Sequence, residues 1–158
     1  MSTPETIGLQ LPDADATATL ARRLAPLAAA GGTLWLRGEL GAGKTSFVRA
    51  LLQALGVRER IKSPTYSLVE SYALPAGGTA WHVDLYRIAD AAELEHLGLD
   101  AWADGPALVL VEWPERAAAA LPPADLEIVL VHAGQARTAG LTARSARGRA
   151  WLAALGSA

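Results

Sequence analysis

With 158 residues, 51% of them hydrophobic, and a formal net charge of −2, the chain suits one domain with a proper core, residues 1–158, and has no general attraction to nucleic acid. It contains no cysteine, which excludes disulfides, zinc–thiolate sites and thiol nucleophiles. The segment Met1-Ser2-Thr3-Pro4-Glu5-Thr6 has neither a basic flank nor an apolar core, and no apolar run reaches membrane-spanning length, so the expectation is a soluble, cytoplasmic protein.

In chain order, Thr6 to Leu11 has a weak strand pattern. Asp13 or Asp15 can cap a helix over Ala16 to Ala30, where Leu20, Leu24 and Leu27 recur at helical spacing and Gly31-Gly32 ends the run. Thr33 to Arg37 reads as a strand, followed by Gly38-Glu39-Leu40-Gly41-Ala42-Gly43-Lys44-Thr45. This run fits the phosphate-binding loop G-x-x-x-x-G-K-[ST] at every fixed position. Glycines let the backbone curl so that successive N–H groups face a phosphate. Lys44 supplies a point charge, and the Thr45 hydroxyl can ligate Mg²⁺. Ser46 to Leu55 then reads as a helix closed by Gly56, completing the strand–loop–helix context that the motif requires.

Beyond it, Ser63-Pro64-Thr65 opens a loop, and Tyr66 to Leu74 and Thr79 to Tyr86 read as two strands of an antiparallel hairpin across Pro75-Ala76-Gly77-Gly78. Ala91 to Leu97 reads as a short helix, with a further turn over Asp100 to Ala103. Ala107 to Val111 is a continuous apolar run, as expected of a buried central strand. A short helix over Ala117 to Ala120, a hairpin of Asp125 to His132 with Thr138 to Arg144, and a helix over Arg149 to Leu155 complete the chain. The fold class is α/β: a single P-loop NTPase-like domain with a mixed parallel and antiparallel sheet flanked by helices.

A phosphate-binding loop needs a carboxylate to hold Mg²⁺ and order water. Glu112 ends one apolar run and Asp84 ends another, Trp81-His82-Val83. Either can serve the metal while the other positions water; the plainer alternatives are an exposed strand-end acid for Glu112 and a cap or an ion pair with Arg87 for Asp84. Ser63-Pro64-Thr65 stands about where nucleotide switches keep a loop that senses the γ-phosphate, and is equally a plain loop. Arg87 is a charge neutraliser or an ion-pair partner. Trp113 is a core wedge or an interface aromatic. His82 and His132 read as strand residues rather than catalytic ones. Arg137, Arg144, Arg147 and Arg149 read first as a solvated face and secondarily as a nucleic-acid contact. The residues alone reach a small ATP-binding protein, with a small-molecule kinase and a non-hydrolysing nucleotide-binding adaptor as alternatives.

Taken together, the phosphate loop, Ser63-Pro64-Thr65-Tyr66, His82-Val83-Asp84-Leu85-Tyr86-Arg87 and Val111-Glu112-Trp113-Pro114 appear in one order. In this the chain closely resembles the TsaE family of bacterial tRNA threonylcarbamoyladenosine biosynthesis. Glu93-Leu94-Glu95-His96-Leu97-Gly98 and Leu121-Pro122 look like family positions too. The resemblance implies a slow Mg²⁺-dependent ATPase that resets two partners, TsaB and TsaD, which install threonylcarbamoyl on the adenosine beside the anticodon. It implies tRNA as an indirect partner, through that complex. It further implies that Gly38 to Thr45 hold ATP, that Lys44 holds phosphates, and that Thr45 and Glu112 ligate Mg²⁺. Asp84 then looks like a catalytic or water-positioning acid, and adenine is expected near Ala14 to Thr17 and His132.

Overall fold

The computed structural model describes residues 5–64, 67–97 and 106–156. Seven strands form one sheet in the order β1-β7-β6-β2-β5-β4-β3. They are β1 Thr6–Leu11, β2 Gly32–Arg37, β3 Val69–Ala73, β4 Thr79–Asp84, β5 Ala107–Glu112, β6 Leu126–Ala133 and β7 Ala136–Ala143. The four inner strands β6, β2, β5 and β4 run parallel. At one edge β3 pairs antiparallel with β4, and at the other β7 and β1 continue antiparallel from β6. The mixed sheet and both hairpins agree with the sequence pattern. The β3–β4 hairpin is shorter than expected, since β3 spans Val69–Ala73 and β4 stops at Asp84.

Three helices accompany the sheet: α1 Ala14–Ala28, α2 Lys44–Ala54 and α3 Ala146–Gly156. Asp13 caps α1, its carboxylate accepting from the Ala16 N–H at 2.8 Å. The runs Ala91–Leu97, Pro114–Arg116 and Ala118–Ala120 are 3-10 turns rather than α-helix. The expected turn over Asp100 to Ala103, and Thr65 and Tyr66, lie outside the described residues.

Strand alternation sorts the side chains of the inner strands into two cores. Leu34, Leu36, Leu110, Leu126 and Ile128 pack with Leu24, Phe47, Leu51 and Trp151 of the three helices. On the opposite face Trp35, Val83, Val109 and Val111 pack with Leu94 and Leu121 from the connecting segments. The sheet is thereby buried on both sides, as parallel strands require. Register then decides what lies at the carboxyl ends of the inner strands. Asp84 stands opposite Glu112, and Leu36 stands opposite Glu112 from the other side. Both acids share the face that carries α2.

Candidate nucleotide site

The phosphate loop connects β2 to α2, and its geometry follows from its glycines. Gly38 takes φ 151, and a Cβ there would lie 2.6 Å from the Leu130 carbonyl oxygen. Gly43 takes φ 106 as the residue before α2, a left-handed conformation that other residues rarely adopt. The Ala42 N–H closes the loop onto the Glu39 carbonyl at 3.1 Å. The first amides of α2 therefore face the cavity above the strand ends, with the positive end of the helix dipole behind them.

That cavity has a volume of about 500 Å³ and is lined by the loop together with Asp84, Tyr86, Arg87, Glu112 and Trp113. Lys44 is buried and donates to the carbonyls of Gly38 at 2.5 Å and Glu39 at 2.9 Å. Its ammonium also sits 4.4 Å from the centroid of the Trp113 ring. Burial pushes the Lys44 pKa below 10.5, and the nearby carboxylates of Glu112, Asp84 and Glu115 oppose that shift without cancelling it.

Glu112 is 2% exposed, so the strand-end acid is not a solvent-facing one. The Thr45 hydroxyl donates to both its oxygens, at 2.9 and 3.1 Å. His82 Nε2 lies 2.5 Å from Glu112 Oε2. With Glu112 ionised, Nε2 carries the proton and donates. His82 is fully buried, and its Nδ1 has no partner among the described residues. Asp84 accepts from the Tyr86 N–H at 2.9 Å, so it caps the turn after β4 while lining the cavity.

Trp113 takes φ 58 and ψ 46, a left-handed conformation that costs a non-glycine residue on the order of 1–3 kcal/mol. The turn directs its ring over Lys44 and against Tyr86, with ring centroids 5.0 Å apart. The Arg116 guanidinium covers both rings, at 5.5 Å from Tyr86 and 5.6 Å from Trp113. Trp113 is thus a wall of the site.

A second cavity of about 260 Å³ adjoins the first across the loop, sharing Gly41 and Gly43. Ala14 and Thr17 of α1 line it, with Gln135 and Arg137 from the β6–β7 hairpin. His132 lines a third hollow and donates through Nε2 to the Leu40 carbonyl at 3.3 Å.

The donor set suits a hard divalent cation. Thr45 and Glu112 present a hydroxyl and a carboxylate side by side, and Asp84 stands beside them. No cluster of three or more His, Cys, Asp or Glu side chains that could hold a metal occurs among the described residues. Mg²⁺ in phosphate sites needs none, because one or two carboxylates, water and the phosphates complete its octahedron.

Comparison with known proteins agrees with the motifs. The family model described as threonylcarbamoyl adenosine biosynthesis protein TsaE matches residues 11–139. The chain belongs to the TsaE family. The tRNA threonylcarbamoyladenosine biosynthesis protein TsaE of Haemophilus influenzae is 40% identical over 116 residues, covering 73% of each chain. Its Bacillus subtilis namesake is 38% identical over 121 residues, covering 75% of this chain and 73% of the relative. The crystal structure of Bacillus subtilis YdiB superposes with a TM-score of 0.81 at 29% identity, over 99% of this chain and 97% of that one. All four sequence blocks that carry the resemblance fall within the span that matches the TsaE family.

Lys44, Thr45, Asp84 and Glu112 converge on one cavity. Thr65 lies outside the described residues. Sequence reasoning passes over two things. One is His82, whose signal is its position two residues before Asp84, on the same strand face. The other is the pairing of the late arginines. Arg144 and Arg147 pair with Glu127 and Asp125, and Arg137 donates to the carbonyls of Ala136 and Gly41.

Proposed function

We propose that this TsaE-family chain is the Mg²⁺-dependent ATPase of tRNA threonylcarbamoyladenosine biosynthesis, working with TsaB and TsaD. The relatives' names supply the process. The observation that carries the activity is the junction of Thr45 with Glu112 beside Asp84, in a cavity whose other wall is the phosphate loop.

The loop amides and Lys44 receive the phosphates of ATP. Lys44 gives up its bonds to Gly38 and Glu39 and takes phosphate oxygens instead. Thr45 and Glu112 would hold Mg²⁺, which would supply neutralisation of phosphate charge there. Asp84 orients water for in-line attack, its carboxylate held by the Tyr86 amide. Adenine occupies the second cavity, between the start of α1 and Gln135 and Arg137. Trp113 closes the phosphate side.

Slow turnover by the isolated chain follows if a partner completes the site. A stabilising arginine supplied in trans is worth about 10³–10⁵ in rate. The test is steady-state ADP release with Mg-ATP, for wild type and Glu112→Ala, with and without TsaB–TsaD. Partner-stimulated turnover that is lost in the variant is the expected result. Full-speed turnover that the partners leave unchanged rejects partner gating. ATP bound with no turnover in any mixture replaces the ATPase by an adaptor, and phosphoryl transfer to an added acceptor replaces it by a kinase.

A further inference from the structure

Where α2 ends, the chain forms a further solvent-facing groove that the nucleotide site does not use. A groove of about 650 Å³ is lined by Arg49 and Gln53 of α2 and by Arg58, Arg60, Lys62 and Ser63 of the irregular segment that follows. All four cations are exposed. None of them has an ion pair or a side-chain hydrogen bond among the described residues, and Glu59 is the one carboxylate lining the groove. On a chain of net charge −2, this is a local surplus of positive charge. Arg144 and Arg147 differ, since Glu127 and Asp125 neutralise them.

The groove is preformed. The Val57 N–H donates to the Leu52 carbonyl at 3.0 Å, fixing the exit from α2. At the other end the hydroxyl of Tyr72, a buried residue of β3, accepts from the Lys62 N–H at 2.9 Å. Arg58, Arg60 and Lys62 thereby share one groove with Arg49. Arg49 lies one helical turn beyond Thr45, on the same face of α2.

We infer that this groove binds the phosphodiester backbone of RNA. Guanidinium forks match phosphate oxygens and resist deprotonation. Among the described residues its lining is dominated by cations and holds no aromatic ring, so the contact it offers is to phosphate charge. Assigning RNA among polyanions rests on the tRNA-directed reading of the family given above. Protein interface cores are enriched in aromatic and apolar anchors, whereas among the described residues lining the groove Ile61 is the one apolar side chain.

The test is fluorescence anisotropy of a labelled tRNA transcript titrated with the full chain over a salt series. The variants are Arg58→Gln/Arg60→Gln/Lys62→Gln and, as a control, Arg144→Gln. The triple variant should bind on the order of tenfold or more weakly at low salt. Its plot of log affinity against log salt should be shallower by about two, as expected for the loss of two to three phosphate contacts. Arg144→Gln should match wild type. Nucleotide binding and circular dichroism of the triple variant should be unchanged, which separates the groove from folding. Unchanged tRNA affinity and slope in the triple variant overturn the inference. So does displacement of tRNA by AMP at the groove, which would make it a mononucleotide site. Unaltered tRNA binding with lost stimulation by TsaB–TsaD overturns it in favour of a protein contact. ADP release measured on the same preparations keeps the two proposals apart: no turnover with groove-dependent RNA binding rejects the ATPase alone.

Discussion

Glu112 accepts from Thr45 and His82 while itself nearly buried, so two side chains set its orientation before any cation arrives. Partners of this kind are typically worth about 10–100-fold in metal affinity or activity. His82→Ala should therefore raise the Mg²⁺ concentration needed for half-maximal ADP release by about that factor, and weaken Mn²⁺ binding followed by electron paramagnetic resonance. His82→Gln, which keeps an N–H donor, should recover part of both. Equal metal affinity in wild type and His82→Ala would remove His82 from the site.

Lys44 carries a different kind of test. In the unfolded chain it titrates near 10.5, and burial lowers that value in the fold. Between the two values the unfolded chain binds the extra proton, so stability rises with pH across that window. Below the native value both states are charged and the desolvation cost is fully present. Urea midpoints should thus move in favour of wild type over Lys44→Met on going from ~pH 7 to ~pH 10. A relative loss for wild type would contradict the lowered pKa.

At the level of elements, α3 docks by close approach of backbone. Glycine in a helix interior usually costs about 0.5–1 kcal/mol against alanine, yet Gly148 stands inside α3. A Cβ there would fall 1.7 Å from the Asp125 carbonyl oxygen. Asp125 also ties three elements together. Its carboxylate accepts from the Thr33 N–H at 2.8 Å and from the Ser145 hydroxyl at 2.6 Å, joining the starts of β2, β6 and α3. Gly148→Ala should consequently lower stability by about 1–3 kcal/mol despite its better helix propensity, read as a shift in urea midpoint. A stabilised variant would mean that α3 is not held this tightly.

At the scale of the whole molecule, the nucleotide is expected to hold distant parts together. Its two cavities draw on α1, the phosphate loop, β4, β5 and the β6–β7 hairpin. Mg-ADP should raise the melting temperature as a logarithmic function of its concentration, with a stabilisation of about 2.7 kcal/mol at a hundredfold excess over Kd. Chelating the metal should reduce that shift, and Thr45→Val should make the protein insensitive to chelation. A melting temperature indifferent to nucleotide would argue against both cavities as its site.

What lies in neighbouring residues was legible from the sequence. The loop from Gly38 to Thr45 needs glycines at fixed spacings because its own backbone curls there. The apolar run of β5, the Pro75–Gly78 turn and the Asp13 cap are equally local. Glu112 and Asp84 stand out because each ends an apolar run at a strand's carboxyl end. Packing decided the rest. Whether His82 is a core histidine or a partner of Glu112 depends on the parallel register of β4 and β5, which brings together residues 30 apart in sequence. Whether an arginine is solvated, paired or free depends on what folds beside it. Glu127 and Asp125 claim Arg144 and Arg147, while the fold brings Arg49 of α2 to the same groove as Arg58, Arg60 and Lys62. Local conformational preference is written along the chain, but neutralisation and register belong to contacts between segments far apart in it.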